Sequence, residues 1–201
     1  MSEIIIEKTA QTSVPISSLI ANRWSPRIFD SSHVITDAEV LQLLEAARWA
    51  PSANNSQPWA FIVGRRGDEA FGKLVAALSG FNQSWAPNAS TLILALGPTH
   101  RPDGAEADPG FLRLNIGLAT SQIVFEAESL GYKAHYMAGF VPDILKTEFQ
   151  ISDYEPLLIL AIGKQGDAAL VDEELAVREA ADRTRKSLDE IVLIGLPESG
   201  S

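Results

Sequence analysis

The sequence predicts a mixed α+β sandwich, on three observations. Strand-like and helix-like stretches alternate, but the helical connections vary greatly in length, which disfavours a regular doubly wound sheet. Two continuous apolar runs, TLILALG (91–97) and LLILAIG (157–163), have the length and composition of buried strands. One long stretch, Phe111 to Leu130, is apolar around most of its circumference and reads as a central buried helix. With no internal repeat and no dividing linker, the 201 residues read as one domain, 1–201.

The elements follow in order. Pro15 to Ala21 reads as a short helix, and the polar stretch NRWSPRIFDSSHVI follows it. Thr36 stands three residues before Glu39, the pattern of a capping box, and Val40, Leu43, Leu44 and Ala47 continue at helical spacing. That helix stops near Ala50, because the residue before Pro51 is pushed out of the α region. Residues 59–64 read as a strand, and 68–79 as a helix with Phe71, Leu74, Val75 and Leu78 inward. The stretch 100–110 is a loop rich in Pro, Gly and acid. Asp108 and Pro109 supply the N-cap and first-turn proline of the central helix, and Gly131 ends it. Residues 132–137 read as a strand and 141–149 as a short helix. The tail, 164–201, is mostly polar but carries an apolar patch of Leu188, Ile191, Val192 and Ile194. That patch either docks on a neighbouring subunit or packs on its own domain.

Composition excludes several functions. The net charge of −10 argues against general affinity for nucleic acid or an anionic membrane surface. The absence of cysteine removes disulfides, thiolate metal sites and cysteine nucleophiles. No apolar stretch reaches the roughly 20 residues of a membrane span, and MSEIIIEKTAQTS lacks the pattern of a signal peptide, so the reading is cytoplasmic.

Some motifs fail on inspection. GDEAFGKL (67–74) has the glycine and lysine spacing of a phosphate loop, but Leu74 replaces the magnesium-binding hydroxyl, and acidic residues crowd the loop. It reads as a helix start. His33, His100 and His135 are scattered and give no metal-ligand spacing. There is no G-x-S-x-G elbow, and Asp172, Glu173 and Glu174 read as a solvated helix start.

Two features remain. APSANNSQPW (50–59) places more small polar residues and prolines in one connection than a turn needs. In NRWSPRIF, Arg23, Ser25 and Arg27 stand at alternate positions, so an extended backbone points all three to one side. Arg183, Arg185 and Lys186 recur near the C-terminus. Guanidinium forks match phosphate geometry, although surface solvation is the plainer reading of scattered arginines.

Taken in order, R-x-S-x-R, P-S-x-x-N-x-Q-P-W and R-K-x-L-x-E-I-V resemble the nitroreductase family of FMN-dependent enzymes. GYKAHYMAGF (131–140) is similar to the family's strand beside the flavin, and PLLILAIG (156–163) to its next strand. The resemblance spans about residues 17 to 195. It implies a mainly antiparallel sheet flanked by helices, in a homodimer that exchanges its C-terminal extensions (here 164–201). It also implies FMN as cofactor, NAD(P)H as donor and a small electron-poor acceptor such as a nitroaromatic, quinone or enone.

Carried over residue by residue, the resemblance implies that Arg23, Ser25 and Arg27 hold the flavin phosphate and pyrimidine edge, with Trp24 contributing backbone. Pro51, Ser52, Ala53 and Asn55 would come from the other subunit and lie along the ring, with Gln57 and Trp59 supporting their loop. Asn82 and Gln122 match flavin-contacting positions. Met137, Ala138 and Gly139 would bring backbone near the reactive nitrogen, and Arg185, with Arg183 or Lys186, would close on the phosphate. No side chain receives a catalytic role, since the flavin carries the chemistry. Two positions depart from the pattern. Trp85 replaces a lysine common in relatives and is expected at the substrate mouth, and Ala138 replaces a glutamate found in some. Other readings are a flavin-binding module without turnover, or a dehalogenating or flavin-fragmenting member.

Overall fold

The computed structural model describes residues 4–197. Its frame is one four-stranded sheet of β1 (Ala60–Arg65), β2 (Thr91–Pro98), β3 (Lys133–Met137) and β4 (Tyr154–Gly163), in the order β1-β2-β4-β3. Every pairing is antiparallel, in line with the α+β class and the mainly antiparallel sheet that the resemblance implies. The two apolar runs occupy the middle of the sheet as β2 and β4, where both faces are covered and a polar side chain would find no water. β4 begins earlier than its apolar run, at Tyr154. Pro156 is tolerated there because β3 pairs with β4 only from Ile159 onward, and the register against β2 slips beside it.

Helices α1 (Ser18–Asn22), α2 (Asp37–Arg48), α3 (Glu69–Ala77), α4 (Asn82–Trp85), α5 (Pro109–Ser129), α6 (Pro142–Phe149), α7 (Glu173–Ala180) and α8 (Leu188–Ile191) complete the chain. α2 and α5 cover one face, where Ile35, Leu43, Ile123 and Leu160 are packed; α3, α4 and α6 cover the other, around Leu74, Leu94 and Leu145. Alternate residues of β2 serve the two cores: Leu92 and Leu94 enter one and Ile93 the other, the strand's period of two.

Local signals set the helix ends. The Thr36 hydroxyl accepts from the Glu39 N–H at 3.3 Å while Glu39 Oε2 accepts from the Thr36 N–H at 2.8 Å. Asp108 caps α5 by accepting from the Phe111 N–H at 2.8 Å, and Gly131 ends it with φ +79°. The near-phosphate loop is a helix start: Asp68 caps α3, and Lys73 turns to Glu69 at 2.8 Å.

Two expectations change. α5 is buried along one flank only, and on the other Leu114 is 61% exposed with Phe111 beside it. A helix with apolar residues on most sides can bury only the side its own sheet reaches. The tail divides its behaviour. Leu175 and Glu179 of α7 pack onto the domain, whereas Leu188 and Ile191 are exposed and Ile194 is 94% exposed.

The segment carrying the alternate arginines is fixed against the end of β4. Ile28 O accepts from the Gly166 N–H, and the Asp30 N–H donates to Lys164 O, both at 2.9 Å. Gly166 is required by this approach, since a Cβ there would stand 2.7 Å from the Phe29 carbonyl carbon. Gly72 in α3 has open space. Gly166→Ala is expected to cost roughly 1–3 kcal/mol through overpacking, and Gly72→Ala to gain about 0.5–1 kcal/mol of helix stability. Thermal melts of the two variants check this: Tm falls for the first and rises for the second.

Candidate functional site

Burial along the arginine segment alternates. Trp24, Pro26 and Ile28 are buried while Arg23, Ser25 and Arg27 are half-exposed, as an extended strand lying on the domain requires. Trp24 faces inward with Lys8 Nζ 4.8 Å from its ring centroid. Arg23 Nη1 donates to Ser25 Oγ at 3.3 Å, which confirms that the two side chains share a side. The segment also crosses the edge strand: His135 Nδ1 lies 2.9 Å from Pro26 O, so that nitrogen carries the proton it donates.

The C-terminal arginines reach the same place. Arg183 Nη1 donates to Ala21 O at 2.8 Å and to Lys8 O. Burial holds the Arg183 guanidinium below its ordinary range, and the positive charges of Arg23 and Arg185 push it further down. The arginines therefore form a mutually repelling cluster. Arg23, Arg27, Arg183 and Arg185 make no ion pair among the described residues. Arg48, Arg65, Arg101 and Arg178 each pair with a carboxylate. In a chain of net charge −10, Arg183 thus feels the like charges of Arg23 and Arg185, partly offset by Glu128.

Beyond β3 lies a second group. Asn82 Nδ2 donates to Gly139 O at 3.2 Å, and a Cβ on Gly139 would meet that nitrogen at 2.8 Å. Met137 is buried and Ala138 exposed. Tyr136 stands on the opposite face of β3, where burial raises its phenol pKa and the charge of Arg23 draws it back. Arg185 is exposed beside the cluster, and Gln122 is exposed on α5.

The loop after α2 is built on left-handed backbone. Asn54, Asn55 and Gln57 have φ of 54°, 52° and 45°. Asparagine tolerates that region, which accounts for the Asn-Asn pair, while Gln57 is held there with strain. The Gln57 N–H donates to Ser52 Oγ at 3.0 Å and its side chain to Asn55 O at 3.2 Å, closing the loop on itself. The Ala53 N–H donates to Asn115 Oδ1 at 3.1 Å, and Asn115 Nδ2 donates to Phe111 O at 2.7 Å. Pro51, Ala53 and Asn55 are exposed and Ser52 is half-buried. No hydrogen bond or ion pair joins this loop to the arginine segment among the described residues. A cavity of about 840 Å³ opens beside the loop, walled by Trp59, Phe111, Leu114 and Tyr154. Another, of about 650 Å³, lies behind Trp24 without reaching Arg23, Ser25 or Arg27.

One assignment is overturned. Trp85 is fully buried, 6.1 Å from Phe29 and 4.6 Å from His135 between ring centroids, and lines no mouth. Packing against Phe29 and His135 holds the indole in the core although its N–H finds no partner among the described residues. Two residues escaped the sequence. Asn115, a buried amide at 1% exposure in α5, fastens the loop; its place between Leu114 and Ile116 was the available signal. Glu179 accepts from the backbone of Arg27 and Ile28, 151–152 residues away, and only its spacing from Leu175 hinted that it faces inward.

The sequence profile of the nitroreductase family matches residues 20–80 and 66–164. This chain belongs to the nitroreductase family. It is 28% identical over 189 residues to an oxygen-insensitive NAD(P)H nitroreductase of Enterobacter cloacae, covering 82% of each. It is 35% identical over 145 residues to an uncharacterised 15.4 kDa protein of Mycolicibacterium smegmatis, 67% of this chain and 95% of that one. A crystal structure described as an oxidoreductase containing FMN superposes with a TM-score of 0.79 at 32% identity, covering 87% of this chain and 89% of its own.

Burial lowers the His135 pKa from 6.5 to about 4, and the charge of Arg27 adds to the depression, opposed by the bond to Pro26 O. A histidine depressed in the fold stabilises it above the unfolded pKa, and that contribution is lost as pH falls toward the folded value. Tm is therefore expected to fall between pH 6.5 and 4 by more in the native protein than in His135→Gln. Parallel slopes in a pH series of melts would remove His135 as a contributor.

Proposed function

We propose that the protein is an FMN-dependent oxidoreductase that moves hydride from NAD(P)H to an electron-poor small molecule such as a nitroaromatic, quinone or enone. The observation that carries this reading is the cluster of Arg23, Arg27, Arg183 and Arg185 without carboxylate partners among the described residues, on the edge of a nitroreductase fold. That donor set fits the dianionic phosphate of a flavin mononucleotide, and the relatives' descriptions name FMN and NAD(P)H.

Arg23 and Ser25, bonded to each other, present adjacent donors to the phosphate, and Arg183 and Arg185 approach it from the tail. Arg27 supplies positive charge toward the pyrimidine edge. Trp85 supplies none from the core, so Arg27 bears that duty without the lysine found in relatives. Asn82, held by Gly139 O, offers its amide at the same edge, and the backbone of residues 137–139 forms the rim beside the ring. The loop of Pro51, Ser52, Ala53 and Asn55, kept open by Asn115, forms the other wall. FMN, when bound, accepts hydride and passes it on, which is chemistry no side chain here supplies. The chain's part is to anchor the phosphate, orient the ring and set its electrostatics.

A second copy completes the site in this reading. No bond joins the loop to the arginine segment among the described residues of one chain, and the uncovered flank of α5 at Phe111 and Leu114 and the apolar residues of 188–196 offer contact surface. The protein is thus a homodimer whose tails embrace the partner. Among the described residues no helix is long and apolar enough to cross a membrane. Cytoplasmic location is part of the same proposal.

The purified protein is expected to show flavin absorbance between roughly 300 and 600 nm that bleaches on anaerobic addition of NADH or NADPH. A protein that stays colourless with added FMN would overturn the reading, and bound flavin that does not bleach would leave a binding module. Arg27→Ala is expected to weaken FMN retention by about tenfold or more, for a lost charge-assisted contact, and to slow turnover with a quinone. Unchanged flavin content and rate would remove Arg27 from the site.

A further inference from the structure

Glu179 is a charged residue where the fold has no packing need for charge. It is 1% exposed, one turn beyond buried Leu175 on the inner side of α7, where an aliphatic residue would serve the core. Among the described residues it makes no ion pair. Its oxygens are taken up by main chain. The Arg27 N–H is shared by Oε1 at 2.9 Å and Oε2 at 3.0 Å, and the Ile28 N–H donates to Oε1 at 3.1 Å. Burial raises its pKa, while those two N–H groups and the charges of Arg27 and Lys8 oppose the rise. The carboxylate is thus held at a cost in the one place where it fixes the backbone of Arg27.

The neighbours point the same way. Lys8 lies over Trp24 and donates to Ala181 O just past α7, and Arg183 donates to Ala21 O. Residues 179–183 and 21–28 therefore form one hydrogen-bonded unit through which the tail reaches the arginine segment. We infer that Glu179 is a positioning residue for the phosphate anchor: it fastens α7 to the backbone of Arg27 and Ile28 and so sets where Arg23, Ser25 and Arg27 meet the anion. This rests on the reading of that segment as the FMN phosphate anchor.

The sign of the effect separates positioning from charge. Removing a negative charge beside the cluster would by itself tighten phosphate binding, whereas releasing the backbone loosens it. Glu179→Gln keeps the volume but turns an amide N–H₂ toward one of the two N–H donors.

The experiment measures the affinity of the flavin-free protein for FMN and for riboflavin, which lacks the phosphate, by quenching of flavin fluorescence. In the native protein FMN binds more tightly than riboflavin. In Glu179→Gln the riboflavin-to-FMN ratio of Kd values falls by about tenfold, while riboflavin binding changes by less than about twofold. A ratio that stays the same or rises overturns the inference. If Glu179→Gln does not fold, Glu179→Met, apolar and of similar length, gives the same readout: a preserved ratio reduces Glu179 to packing. Failure of the underlying reading is distinct, because the native protein would then bind FMN no better than riboflavin.

Discussion

The central pair of the sheet, β2 against β4, is the constraint on which everything else depends. Both strands are apolar on both faces except at their ends, where Thr91 is buried with its hydroxyl unpaired, and their main-chain groups are consumed by each other and by β1 and β3. Nothing polar can be placed there without an unpaired group in the core. Chemistry is therefore confined to the margins: the outer edge along β3, the turn after it, and the loop that leads into β1. The arginine segment draws support from the end of a strand, where Lys164 and Gly166 still have main-chain groups to give, and from His135 on the edge strand.

Charge is distributed against the grain of the composition. Acidic residues outnumber basic ones by 26 to 16, so a cationic site must be assembled by excluding carboxylates from one neighbourhood. The paired arginines lie elsewhere on the surface, at Arg48, Arg101 and Arg178 among others, where their charges are spent on nearby acids. At the site the buried carboxylate of Glu179 is turned onto backbone and leaves the guanidinium groups unbonded to it, while Glu128 offsets part of the repulsion felt by Arg183. Mutual repulsion of Arg23, Arg183 and Arg185 is the energetic cost, and an anion relieves it. Any anion bound there would couple its binding to fold stability through this repulsion.

The two halves of the site differ in how they are held. The arginine half is fixed by long-range main-chain bonds and by the tail. The loop half is held by its own turns and by Asn115, with three residues in left-handed backbone. Such a loop keeps one shape without help from the arginine half, which suits a wall presented across a subunit boundary.

The sequence by itself determined the elements and the family. Apolar runs of strand length, a capping box at Thr36, the Asp108-Pro109 start and the Gly131 stop are local signals, set by sterics and backbone hydrogen bonding within a few residues. The alternation of Arg23, Ser25 and Arg27 was legible for the same reason, since an extended chain has a period of two. What only the tertiary structure decided depends on which surfaces meet. The all-antiparallel strand order, the burial of Trp85 against Phe29 and His135, and the open flank of α5 follow from how the elements pack. So do Asn115 and Glu179, whose partners lie 62 and 151–152 residues away along the chain. A side chain's role at that range is set by what the fold brings beside it, and no pattern in its own neighbourhood records the meeting.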